Sequence, residues 1–145
     1  ATYFSALGTD ERKLLLARAI QLFMPGKPQI WYLDLFAGEN DIEAVGIGDD
    51  ASHKEINRTN LSKKDIEYRL TLPVVKKQLE LLKMRNSCEA FDFDAKLQIS
   101  QAAPHLLQLT WSKNGKKATL NADLNNYSFE VSADLNDKTY NYVQY

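Results

Sequence analysis

From Leu14 to Met24 only Arg18 and Gln21 interrupt a run of apolar residues. A surface helix shows one apolar stripe, so a helix apolar almost all round needs neighbours on several sides. Thr9-Asp10-Glu11 supplies a capping oxygen and early acids, and Met24-Pro25-Gly26-Lys27-Pro28 breaks the helix. Gln29-Ile30-Trp31-Tyr32-Leu33-Asp34-Leu35-Phe36 is a short β-branched and aromatic run bounded by breakers, which predicts a buried strand of a parallel sheet. Helix, breaker and apolar strand in succession is the rhythm of an α/β unit. Between Ala37 and Asn60 the periodicity lapses, and Gly46, Gly48 and Asp49-Asp50 predict a long loop. Ser62 begins a second helix, with Asp65 at the capping-box position and Leu61 and Ile66 at the staple positions. Pro73 opens a third, with Val75, Leu79 and Leu82 on one face.

Beyond Phe91 the period becomes two. Leu97 and Ile99 alternate with polar neighbours, as do Leu107, Leu109 and Trp111, then Ala118, Leu120, Ala122 and Leu124, then Phe129, Val131 and Ala133. Tyr140 and Tyr142 continue the set. Asn114-Gly115 is a two-residue hairpin signal, and Asn125-Asn126 and Asn136-Asp137 read as turns. The expectation is a meander of about five antiparallel strands with one buried face. The boundary between the two halves falls near Phe91-Asp92, giving residues 1–91 and 92–145.

The 145 residues carry the usual globular balance, 44% apolar and 26% charged, with a net charge of −1. Charge alone therefore draws the chain neither to nucleic acid nor to an anionic membrane. Lys63, Lys64, Lys76 and Lys77 stand beside Asp65, Glu67 and Glu80 and read as solvated helix faces. The single cysteine, Cys88, excludes an internal disulfide and fits a reducing cytoplasm. No apolar stretch approaches a bilayer span, and Ala1-Thr2-Tyr3-Phe4 lacks the layout of a signal peptide. The absence of an initial Met and the all-round apolar helix predict a piece of a larger protein.

Most clusters of reactive residue types read as ordinary structure. Asp92-Phe93-Asp94 lacks further metal ligands and reads as a linker turn. Gly46-Ile47-Gly48 lacks the third glycine of a dinucleotide site. His105 has no acid or nucleophile nearby in sequence, and Trp111 lies on the apolar side of its strand. Glu39, Asp41 and Glu43 could suggest acid/base work, but spacing alone does not place two carboxylates across a sugar. Ser52-His53-Lys54-Glu55-Ile56-Asn57-Arg58 is the exception: a histidine, two cations and an amide on one loop can hold sugar hydroxyls or a phosphate, or can anchor the loop.

Several collinear segments carry a family resemblance. Tyr3-Phe4-Ser5-Ala6-Leu7-Gly8, Ala17 to Gly26, Pro28-Gln29-Ile30-Trp31-Tyr32 and Ala37-Gly38-Glu39-Asn40-Asp41 are similar to segments of sucrose phosphorylases. Ile56-Asn57-Arg58, Pro73-Val74-Val75-Lys76, Arg85-Asn86 and Ala90-Phe91-Asp92 continue the match, and the β-rich remainder agrees in pattern. The resemblance implies an α-amylase superfamily (glycoside hydrolase family 13) enzyme, a (β/α)8 barrel followed by a small antiparallel domain. It implies a double displacement: an Asp attacks the glucosyl carbon, a Glu protonates fructose, a second Asp holds the ring, and phosphate takes the glucose with retention. In such a chain all three carboxylates lie upstream of Ala1, so no catalytic residue is expected here.

The resemblance also assigns substrate-binding positions. Where the family has Gly-Arg-(Asp/Asn)-Ile-Asn-Arg-His-Tyr-Tyr, this chain has His53-Lys54-Glu55-Ile56-Asn57-Arg58-Thr59-Asn60-Leu61. Lys54 takes the place of the basic residue that contacts the glucosyl unit, keeping a cation but losing the bidentate fork. His53, Asn57 and Arg58 complete the candidate set. The change leaves the acceptor open among fructose, fructose 6-phosphate, glycerol and glycerate, the second corresponding to the sucrose 6'-phosphate branch. Sugar and inorganic phosphate are the expected partners, with no cofactor, no metal, no nucleic acid and no membrane. The competing reading is a non-catalytic carbohydrate-binding or interaction module. A self-sufficient module has no use for a barrel-type strand beside a helix without an exposed face.

Overall fold

The computed structural model describes residues 1–45 and 56–145. The chain divides into two compact units, Ala1–Leu14 with Gln29–Gln78, and Leu15–Pro28 with Leu79–Tyr145. The described helices are α1 (Tyr3–Ala6), α2 (Glu11–Phe23), α3 (Tyr32–Leu35), α4 (Ile42–Val45), α5 (Lys63–Arg69) and α6 (Pro73–Ser87). A 3-10 turn at Glu89–Phe91 leads into strands β1 (Lys96–Ala103), β2 (Leu106–Lys113), β3 (Lys116–Asp123), β4 (Ser128–Asp134) and β5 (Thr139–Gln144).

Helix α2 begins as its sequence predicts. The Asp10 carboxylate accepts from the amides of Arg12 and Lys13 at 2.8 and 3.1 Å, occupying two donors that a first turn leaves unpaired. Leu14, Leu15, Leu16, Arg18, Ala19, Leu22 and Phe23 are buried, so the helix has the several-sided cover that its composition demands. Arg18 is buried with them, and its Nη1 donates to Gln21 Oε1. At the other end, the carbonyls of Leu22 and Phe23 accept from Arg85 Nε (3.0 Å) and Trp111 Nε1 (2.8 Å). Arg85 Nη2 reaches Gly26 O at 3.2 Å, so a cation sits where the helix dipole is negative. The same guanidinium lies 4.4 Å from the centre of the Phe91 ring, which meets Phe23 edge-on at 5.0 Å.

The five strands form one antiparallel sheet in sequence order. Cross-strand register stacks three rows on one face: Leu97, Trp111, Ala118, Ala133 and Tyr140; Ile99, Leu109, Leu120, Val131 and Tyr142; Leu107, Ala122, Phe129 and Gln144. Leu109, Leu120, Val131 and Phe129 are almost fully buried, each worth about 1.5–3 kcal/mol relative to exposure. The Asn114-Gly115 turn has φ of 52° and 78°, the positive pair that a two-residue hairpin requires.

Three local expectations need correction. Residues 29–36 do not form a strand: Trp31 is extended, but Tyr32–Leu35 is a helical turn. A strand needs a neighbouring ladder, whereas here the amides of Leu35, Phe36, Ala37 and Gly38 bond to carbonyls within the same segment. An apolar run of this length fits either element by pattern. On α6 the buried residues are Val74, Val75, Gln78, Leu81 and Met84, while Leu79 is exposed, because the covered face is one position off the Val75, Leu79, Leu82 line. Ile99 is 66% exposed, since β1 is an edge strand with little packed over it. His105 lies with Pro104 in the turn joining β1 and β2.

Candidate functional site

Residues 1–14 and 29–78 hold the described part of the loop that carries the sequence-predicted site. Asp34, a lone acid in an apolar run, is buried, and its Oδ1 accepts from the Tyr3 amide at 2.8 Å. Asn40 makes a second tie: its Oδ1 accepts from the Thr2 amide at 2.7 Å, and its own amide donates to Ser5 Oγ at 2.8 Å. The N-terminal Tyr3–Ala6 turn and the Ala37–Asp41 segment are thereby joined by side chain-to-backbone bonds in both directions. Between them Ala37 has φ 54°, and a Cβ at Gly38 would overlap the Leu33 side chain. The Ala-Gly-x-Asn-Asp pattern is thus a sharp turn followed by a latch.

The base of the long loop is gripped from the same segment. Trp31 Nε1 donates to Asn57 O at 3.0 Å, Tyr32 Oη donates to Thr59 O at 2.6 Å, and the Asp41 amide donates to Ile56 O at 2.7 Å. Two aromatic side chains and one backbone amide therefore fix the course of Ile56–Thr59. Arg69 Nη1 donates to Phe36 O at 3.0 Å and Gln78 Nε2 to Leu35 O at 3.1 Å, which secures the gripping segment itself. Of the four predicted binding residues, Asn57 is half-buried and Arg58 exposed on this anchored base, while His53 and Lys54 lie outside the described residues. Glu39 and Glu43 are exposed, and Asp41 serves through its backbone.

Of the remaining candidates, Gly46-Ile47-Gly48 lies outside the described residues, and Asp92-Phe93-Asp94 and Trp111 behave as structure. Lys113 Nζ lies 2.7 Å from Asp94 and 3.1 Å from Asp92, and its hydrogen bond lowers the Asp94 carboxyl from its ordinary value. Trp111 packs against Phe91, with ring centres 6.3 Å apart, and its indole is used on Phe23 O. Sequence reasoning missed Asp34 and Asn40 as latches. The signal for Asp34 was there, an acid among seven apolar or aromatic neighbours, which has to find donors if buried.

No family model matches the chain. A sucrose 6(F)-phosphate phosphorylase of Ilumatobacter coccineus is 48% identical over 139 residues, covering 96% of this chain and 26% of that protein. The crystal structure of sucrose 6F-phosphate phosphorylase from Thermoanaerobacter thermosaccharolyticum superposes with a TM-score of 0.87 at 38% identity, covering 99% of this chain and 28% of that one. The chain belongs to the sucrose phosphorylase family and corresponds to a C-terminal part of its members. A sucrose phosphorylase of Streptococcus mutans is 33% identical over 139 residues, with 28% of its length covered. The chain thus spans about a quarter of the length of the curated relatives it matches. The five-stranded antiparallel sheet with its helices fits the C-terminal domain of such enzymes.

Proposed function

We propose that the chain is part of a retaining glucoside phosphorylase that transfers glucose from sucrose 6'-phosphate, or from sucrose, to phosphate, releasing α-glucose 1-phosphate. The observation that carries this reading is the 48% identity to a sucrose 6(F)-phosphate phosphorylase over 139 residues, against 33% to a sucrose phosphorylase over the same number. Residues 1–91 supply the closing end of a (β/α)8 barrel and 92–145 the accessory domain. The nucleophile, the acid/base and the ring-holding carboxylate belong to the part of the family sequence that this chain does not match. Its reaction needs no cofactor and takes place in the cytoplasm.

In this reading residues 53–58 hold the substrate. Lys54 meets the glucosyl unit, His53 lies nearer the acceptor and its phosphate, and Asn57 and Arg58 complete the wall. Losing a hydrogen bond to a charged group costs about 1.5–3 kcal/mol, about tenfold to over a hundredfold in rate if made in the transition state. Lys54→Ala in the complete enzyme should lower kcat/KM for both donors, because both share the glucosyl step. His53→Ala should change the ratio between sucrose and sucrose 6'-phosphate, because only the acceptor differs. Glucose 1-phosphate release from each donor plus phosphate measures both. Values within twofold of wild type for Lys54→Ala with both donors would leave the lysine a loop anchor, and release from neither donor by the wild-type enzyme would remove the reading.

A further inference from the structure

The sheet face opposite the buried rows carries its own register: Ser100, Gln108, Asn121, Glu130 and Val143 lie side by side across all five strands. A cavity of about 480 Å³ lies over this end of the sheet, and Leu106 and Tyr145 are among the residues that line it. We propose that this cleft is a binding site for a neutral saccharide. It goes beyond the phosphorylase reading and does not depend on it.

Three features of the lining select that ligand. First, the polar groups are planar and mixed in sense. Gln108 Nε2 donates to Asn121 Oδ1 at 2.7 Å, which fixes the two amides relative to each other and leaves the Asn121 N–H groups and the Gln108 oxygen to face a ligand. Beside them the Glu130 carboxylate only accepts. A donor amide next to an acceptor carboxylate matches adjacent sugar hydroxyls, each of which both gives and takes a hydrogen bond. Second, apolar surface is interleaved: Val143 is 44% exposed, Leu106 37% and Tyr145 90%, offering contact to the C–H faces of a pyranose. Third, the charge is one-sided. Asp123 and Glu130 line the cleft and no lysine, arginine or histidine does, which opposes a phosphate or a sugar phosphate and leaves an uncharged ligand. An extended peptide would instead pair along β1 and β5, the edges of the sheet among the described residues.

The test is calorimetric titration of the complete protein with maltotriose and cellotriose as neutral probes and glucose 6-phosphate as the anionic control. Millimolar or tighter binding of a neutral probe is expected. Asn121→Ala and Glu130→Gln should each weaken it at least fivefold while leaving KM for the phosphorolysed donor unchanged, since both residues are exposed on the outer face. Heat from neither trisaccharide, unaltered affinity in both variants, or preference for the anionic control would overturn the proposal.

Discussion

At the scale of single residues, two positions separate effects that are usually entangled. Gly38 is needed for space: an added Cβ would overlap the Leu33 side chain and come within 3.0 Å of its carbonyl oxygen. Gly38→Ala should therefore destabilise by about 1–3 kcal/mol, as overpacking does, read as a lower midpoint in thermal or denaturant unfolding. Tyr140 poses a different problem. Its hydroxyl is buried without a hydrogen-bond partner among the described residues, and its pKa is pushed up to about 12, by burial first and then by Glu80 and Tyr142. The folded form holds that proton more tightly than an unfolded chain, where tyrosine titrates near pH 10. Titration of this group therefore leaves stability unchanged below about pH 10 and lowers it as pH rises towards 12. Unfolding midpoints followed from pH 9 to 12 should fall more steeply in wild type than in Tyr140→Phe, and the variant should be no less stable at pH 8. Neither property is legible in sequence, since Gly38 and Tyr140 become special only through what packs against them.

Among the elements, legibility followed how local the determinant is. The α5 capping box forms as read: Ser62 Oγ accepts from the Asp65 amide at 3.1 Å and the Asp65 carboxylate from the Ser62 amide at 2.9 Å. The start of α2, the Pro73 opening of α6 and the Asn114-Gly115 hairpin were equally readable, because each is decided within four residues. Residues 29–36 were not, since helix against strand depends there on partners far along the chain. The hairpin also yields a test of backbone strain alone. Nothing lies within 4 Å of a Cβ placed on Gly115, yet its φ is 78°. Gly115→Ala should cost about 1–2 kcal/mol from conformation by itself. A denaturant midpoint unchanged from wild type would show that the turn adopts another form.

For the whole molecule, the resemblance was legible because it rests on many short collinear segments, while the loop's chemistry was not, because a histidine, two cations and an amide fit substrate contact and loop anchoring alike. Trp31 is 47% exposed, Tyr32 38% and Ile42 77%, and the matched relatives are about four times as long. The purified 145-residue chain should therefore bind a hydrophobic dye or self-associate, and should release no glucose 1-phosphate from sucrose and phosphate. A monodisperse, dye-silent monomer would count against the barrel assignment. The placement of the two tryptophans has a consequence for observing all this. Trp31 belongs to the unit containing Gln29–Gln78, and Trp111 to the unit containing Leu79–Tyr145. One indole is about half in water and the other is held against Phe91 with its N–H on a helix carbonyl. Replacing either with phenylalanine leaves a single emitter, red-shifted for Trp31 and blue-shifted for Trp111. The protein thus carries two built-in optical probes, one per unit, and their unfolding traces will coincide only if the units melt together.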